Sequence, residues 1–225
     1  MTTPSSSRRI RVYVAGAEDA PITHASLVAL VRNPDVDLVG LDYGRMDPVR
    51  LREAAPDVLL SAAHRHLVRA PELAVARLGT VGLHPALLPR YRGSHPLWWA
   101  LRNREREAGL TLYVLDEGID TGPILDQRAV PILPDDTFAS LYARTVTLVG
   151  PMLDAFVAAV VALDRLPDAT PQDEVRSTLY KAPTYRELHG TPAERAARKA
   201  RRAIARAGKA VGRGARWLAR RVGGG

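Results

Sequence analysis

Residues 9–15 (RIRVYVA) alternate apolar with polar positions and are rich in Val and Ile, which predicts a strand. Thr23 is placed to cap a helix over 24–33. VDLVGLDY at 36–43 predicts a second strand, and a short helix follows near 47–54. PDVLLSA at 56–62 is apolar almost throughout, the pattern of a parallel strand covered on both faces. A helical turn over 71–77 then leads into GTVGLH at 79–84. This βαβαβ alternation predicts an α/β fold built on a doubly wound, mostly parallel sheet. Periodicity alone leaves a mixed sheet of another topology open.

Beyond Gly93 the rhythm changes. HPLWWALRNRE (95–105) predicts a helix with Pro96 in its first turn. Residues 109–115 and 124–132 predict strands separated by the turn-rich DEGIDTGP. Residues 135–163 predict one long helix, capped by Asp136 or Thr137 and kinked by Pro151. Its apolar run at 148–163 contains Pro151 and Asp154 and is expected to fall short of a membrane span. Residues 165–185 read as an extended return across the body. The resulting division is a disordered start over 1–8, a catalytic domain over 9–190 and a basic helical tail over 191–225.

The net charge of +8 is unevenly distributed. Residues 194–222 hold eleven Arg/Lys against one acid, so the remainder carries about −2. Arguments from basicity therefore concern the tail, whose narrow apolar stripe from Ile204 to Val222 suits an anionic membrane surface or, less well, nucleic acid over 191–222. A solvated, frayed extension is the leading reading of the tail, ahead of both, since Gly208, Gly212 and Gly214 interrupt the helix. The chain has no cysteine, which removes disulfides and thiolate metal sites. MTTPSSSRRI lacks the apolar core of a signal peptide, so a cytoplasmic protein is expected, peripheral at the inner membrane surface if the tail meets lipid. AGAEDA after the first strand is not a dinucleotide fingerprint. His64, His66 and His95 have no carboxylate or thiolate at ligand spacing, and no metal is expected.

The candidate chemistry lies in two loops. His84 ends a predicted parallel strand, where open α/β sheets place their ligands. Prolines 85 and 89 with Gly93 stiffen the loop that follows. Asp120 lies between Gly118 and Gly122 in a second loop. A carboxylate beside an imidazole fixes its tautomer and lets the pair move a proton. On composition and spacing alone, a histidine capping a loop and an aspartate closing a turn are the favoured explanation, since single His and Asp residues in loops are common.

HPALLPRYRG, followed by AGLTLYVLDEGIDTGPIL at 108–125, resembles the formyltransferases that use 10-formyltetrahydrofolate, a family spanning methionyl-tRNA, glycinamide ribonucleotide and sugar-nucleotide formyltransferases. The resemblance implies a Rossmann-like formyltransferase domain that passes a formyl group to a primary amine, with an amino sugar nucleotide as the leading acceptor. It assigns oxyanion stabilisation or proton relay to His84, and support of that histidine to Asp120. It places the folate donor on Arg65, His66, Leu67 and Val68 and on Leu115, Asp116, Glu117, Gly118 and Ile119. It puts the small amine near Tyr113, Arg92 and Gly93. The tail does not resemble the larger tRNA-binding domain of the methionyl-tRNA enzymes. A member of that group lacking this domain remains one alternative, and a catalytically degenerate binding module is another. The oligomeric state is not legible.

Three positions depart from the family pattern. Gly82 replaces the asparagine whose amide donates to the developing oxyanion, a loss worth about 10²–10³ in rate. A water or a backbone N–H in the space left by Gly82 is expected to take its place, Asn103 being too far along a helix. Tyr113 stands where several members carry histidine. Ala86 replaces the motif serine, and Trp98 and Trp99 are expected to serve mainly as packing.

Overall fold

Short runs of Val, Leu and Ala form the centre of the sheet because those residues bury both faces of a strand without leaving a polar side chain to satisfy. In the computed structural model, which describes residues 8–189, they form β1 (Ile10–Gly16), β3 (Val58–Ala62) and β4 (Gly79–His84), with β2 (Val36–Tyr43) a mostly half-buried edge strand beside β1. β6 (Glu107–Val114) and β7 (Ile124–Pro131) complete a six-stranded sheet in the order β2-β1-β3-β4-β6-β7. The first four strands are mutually parallel, and β6 runs antiparallel to both β4 and β7. The alternation read from the sequence is therefore realised as a mostly parallel α/β sheet, with an antiparallel hairpin added beside the strand that carries His84.

The helices are α1 (Pro21–Arg32), α2 (Pro48–Ala54), the single turn α3 (Ala70–Leu73), α4 (Pro96–Arg102), α5 (Phe138–Val146) and α6 (Val149–Leu163). A second sheet pairs β5 (Arg92–Gly93) in parallel with β8 (Leu179–Tyr180). Val149, Met152, Leu153, Phe156, Val157 and Val160 of α6 join the strand side chains of β1, β3, β4 and β6 in the main core.

Several local expectations are corrected. Thr23 does not cap α1, which starts at Pro21. It is fully buried inside the helix, where its hydroxyl donates to the Ala62 carbonyl at 2.6 Å and accepts from the Ala17 N–H at 3.1 Å. The 135–163 segment is two helices that divide at Thr147 and Leu148. Pro151 falls in the first turn of α6, where no intrahelical N–H bond is lost, so it marks a beginning and no kink. Thr137 makes the cap of α5, its oxygen accepting from the Ser140 N–H. Taken together, Phe138–Leu163 is long and apolar enough to cross a membrane by length and composition, whereas the expected run at 148–163 forms the 15-residue α6. The burial of the α6 stripe against the sheet uses that apolarity in the core.

The first compact unit runs to Lys181 and the second begins at Ala182. Within the second, α7 (Tyr185–His189) opens with a reciprocal cap between Thr184 and Glu187. The expected disordered start, apart from Arg8, and the basic tail lie outside the described residues.

Candidate active site

Along β4, Gly82 and His84 project from the same face, because side chains alternate along a strand. Antiparallel pairing sets Tyr113 of β6 opposite Gly82 and Thr111 opposite His84. The proline-rich loop after His84 is held from beneath by Thr111. That hydroxyl donates to the Ala86 carbonyl at 2.6 Å and accepts from the Leu88 N–H and from Gln127.

The loop after β6 then folds back so that Asp120 reaches His84. Asp120 Oδ2 lies 3.5 Å from His84 Nδ1, and both side chains are largely buried. Nε2 of the same ring is 2.8 Å from the Tyr91 carbonyl oxygen. A carbonyl only accepts, so Nε2 carries a hydrogen and Nδ1 is the position facing the carboxylate. Asp120 itself accepts the Gly93 N–H at Oδ2 (2.7 Å) and the Tyr113 hydroxyl at Oδ1 (2.6 Å). Burial first, and the charge of Asp120 second, hold the Tyr113 phenol well above its ordinary range, so it remains a donor.

Backbone strain concentrates in these loops. Tyr91 (φ 61°), His95 (φ 57°) and Asp120 (φ 54°) are non-glycine residues in the left-handed region. Each such residue costs on the order of 1–3 kcal/mol and persists only where surrounding bonds over-determine it. Those bonds come from the 165–185 return. The Gln172 amide donates to the carbonyls of Asp120 (2.9 Å) and Gly122 (2.7 Å), and the Thr178 hydroxyl accepts the Tyr91 N–H at 2.8 Å. β8 pairs with Arg92 and Gly93. Sequence reasoning missed Thr111, Gln172 and Thr178. A glutamine and two threonines in polar surroundings carry no periodic signal, and their partners lie far away in sequence.

Arg92 corrects an expectation. It is buried, with Nε and Nη2 bonded to Gln172 Oε1 and a two-pronged contact to the Glu174 carboxylate at 2.9 and 2.6 Å. It clamps the return segment and offers no free charge to an amine. Gly93 contributes its N–H to Asp120. Its φ of 90°, and the Tyr180 carbonyl against which a Cβ would press, explain the absence of a side chain.

The two stretches expected to take the donor behave unevenly. Val68 is buried in an apolar cluster against which Leu115 packs, so the side chain of Val68 faces the core. Leu67 and Ile119 are exposed. Asp116 is engaged within its own loop, accepting from the Gly118 N–H and the Thr121 hydroxyl, and Glu117 is exposed. Arg65 and His66 line a cavity of about 550 Å³ with Gly16, Ala17, Glu18, Asp19, Tyr43 and Gly44, beyond the carboxyl ends of β1, β2 and β3. His84 and Asp120 are not in its lining. Arg65 grips Asp19 at 2.6 and 2.7 Å. His64, edge-on to His66, has a buried Nδ1 without a partner among the described residues, and desolvation holds its imidazolium below the usual range.

The space beside Gly82 is also a correction. The position next to the Gly82 Cα, where a side chain would start, is already taken by neighbours. A Cβ there would meet Leu115 Cδ1 and, at 2.8 and 3.0 Å, the Tyr113 ring. Asn103 donates to the hydroxyls of Tyr91 and Tyr180, so it does not substitute for the missing amide. Trp98 and Trp99 are half-buried and meet edge to face, with Trp99 tilted on Tyr180.

Residues 48–155 match the Formyl transferase family. That match covers a little under half of the chain, which resembles the family over this stretch. Among its relatives, methionyl-tRNA formyltransferase of Myxococcus xanthus is 38% identical over 123 residues, covering 55% of this chain and 39% of the relative. The methionyl-tRNA formyltransferase of Thermus thermophilus is 38% identical over 138 residues, covering 61% and 43%. The chain thus spans about two fifths of the length of these relatives. Similar folds include HypX from Aquifex aeolicus in complex with tetrahydrofolic acid, at TM-score 0.66 and 21% identity over 80% of this chain and 31% of that one. The formyltransferase PseJ from Anoxybacillus kamchatkensis, in complex with a UDP-sugar and tetrahydrofolate, aligns at TM-score 0.61 and 21% identity, covering 76% and 85%.

Proposed function

We propose that this protein transfers a formyl group from a 10-formyltetrahydrofolate donor to the primary amine of a small metabolite, with an amino sugar nucleotide as the leading acceptor. The observation that carries this reading is the contact between His84 Nδ1 and Asp120 Oδ2 at the end of β4. The donor supplies an N-formyl group whose transfer forms one C–N bond, breaks another and moves one proton from the acceptor to the departing nitrogen. His84 and Asp120 hold that proton in transit. Nε2–H is fixed by the Tyr91 carbonyl, so Nδ1 is the site that takes the proton up and returns it. Exposed Leu67 and Ile119 offer apolar edges to a flat ring on loops joined through Val68 and Leu115.

A second acceptor, methionyl-tRNA, is favoured by the names of the relatives that are 38% identical. Purified protein is incubated with 10-formyltetrahydrofolate and either a panel of amino sugar nucleotides or methionyl-tRNA, and tetrahydrofolate release and product mass are measured. Formylated sugar nucleotide supports the reading, and formylation of the tRNA alone replaces the acceptor. Folate binding without release identifies a binding module. Absence of both release and folate binding removes the donor as well.

A further inference from the structure

Gly82 and Tyr113 are two of the points at which the motifs depart from the family pattern, and the fold makes them one feature. They are directly opposite across β4 and β6. The Tyr113 ring occupies the volume that a side chain at 82 would need, with Cε1 and Cζ at 2.8 and 3.0 Å from a Cβ built there. Its hydroxyl ends on Asp120 Oδ1 at 2.6 Å, leaving Oδ2 for His84 and the Gly93 N–H. The ring cannot retreat without breaking that bond, because Tyr113 is 7% exposed and hemmed in by core. Leu115, the other neighbour of Gly82, is the far end of a flexible side chain and can yield.

We propose that Tyr113 is a positioning residue that aims the Asp120 carboxylate at His84, and that glycine at 82 is the condition for its ring to reach. This rests on the proposed formyl transfer only for its effect on turnover; its effect on the His84–Asp120 pair stands apart. A phenol bonded to Oδ1 draws charge away from the carboxylate and fixes its rotation. Removing it leaves Oδ2 more basic beside the imidazole, which favours the imidazolium. Gly82 thus makes room for Tyr113, and asparagine at that position collides with the residue that supports the pair.

The test uses the full chain and reads the His84 ring by NMR across pH. Tyr113→Phe keeps the ring and removes the bond. It is expected to move the His84 midpoint upward by about half a pH unit or more and, where turnover exists, to lower kcat about tenfold with KM little changed. An unmoved His84 midpoint overturns the proposal whatever the turnover. Wild-type protein without turnover but with the shifted midpoint keeps it while removing the proposed function. The steric half is read from thermal unfolding. Gly82→Ala is expected to lower Tm by several degrees, and by less than half as much in a Tyr113→Ala background. Equal losses in the two backgrounds overturn the pairing.

Discussion

Gln172 and Asp120, 52 residues apart in the chain, are joined by a side-chain amide that donates to the Asp120 backbone carbonyl at 2.9 Å. The same amide reaches Gly122, and its oxygen accepts from Arg92. One glutamine therefore ties the aspartate loop to the loop that follows His84. Gln172→Leu is expected to cost about 2–3 kcal/mol in urea unfolding, since it strands the partners it leaves behind. Turnover is expected to fall along with stability.

Replacing His84 or Asp120, the proposed proton-handling pair, has the opposite signature. His84→Gln and Asp120→Asn are each expected to reduce turnover by about 10²-fold or more, the ordinary contribution of a positioned acid–base group. The unfolding midpoint changes far less than for Gln172→Leu. Steady-state kinetics beside a urea titration separate the two classes.

Gly93→Ala probes the left-handed turn between the motifs. The new methyl must be carried at φ 90° and against the Tyr180 carbonyl. A loss of about 1–3 kcal/mol is expected in the same titration. The 92–93 pairing with 179–180 is expected to loosen, visible as faster amide exchange at Ser94, whose N–H donates to the Tyr180 carbonyl.

Acid stability rests on Asp57, which is almost fully buried beneath β1 and β3. Burial alone would raise its carboxyl. The Arg11 N–H, Arg77 and Arg8 outweigh burial and bring it below its ordinary value. A carboxylate depressed in the folded state stabilises fully above its unfolded pKa of about 3.9 and loses that contribution as pH falls through the lower folded value. Wild-type protein is thus expected to lose stability below about pH 4, and Asp57→Asn to start lower but slope less over the same range. Unfolding midpoints from pH 6 down to pH 2 check the sign.

The centre of the sheet was legible because β1, β3 and β4 bury both faces and so spell themselves in Val, Leu and Ala. His84 and Asp120 were legible through their motifs, which fix residue type and order. The structure adds what residue type cannot encode: which nitrogen faces the carboxylate, and that the Tyr113 ring fills the space over Gly82. Thr23 misled because a threonine just before an apolar run reads as a cap, whereas its buried hydroxyl satisfies the Ala62 carbonyl instead. Pro151 misled because a proline signals interruption without saying whether a helix is ending or starting there. Arg92 misled because a cation beside a motif glycine looks available until Glu174 and Gln172 arrive from the far end of the unit.

The pairing of β5 with β8 has a consequence for protein engineering. The segment that matches the family ends at residue 155, yet the strand that closes over the motif loop is 179–180. A chimera exchanged at the family boundary would inherit the His84–Asp120 pair without the clasp that holds it, and swaps between relatives should carry their junction beyond Lys181.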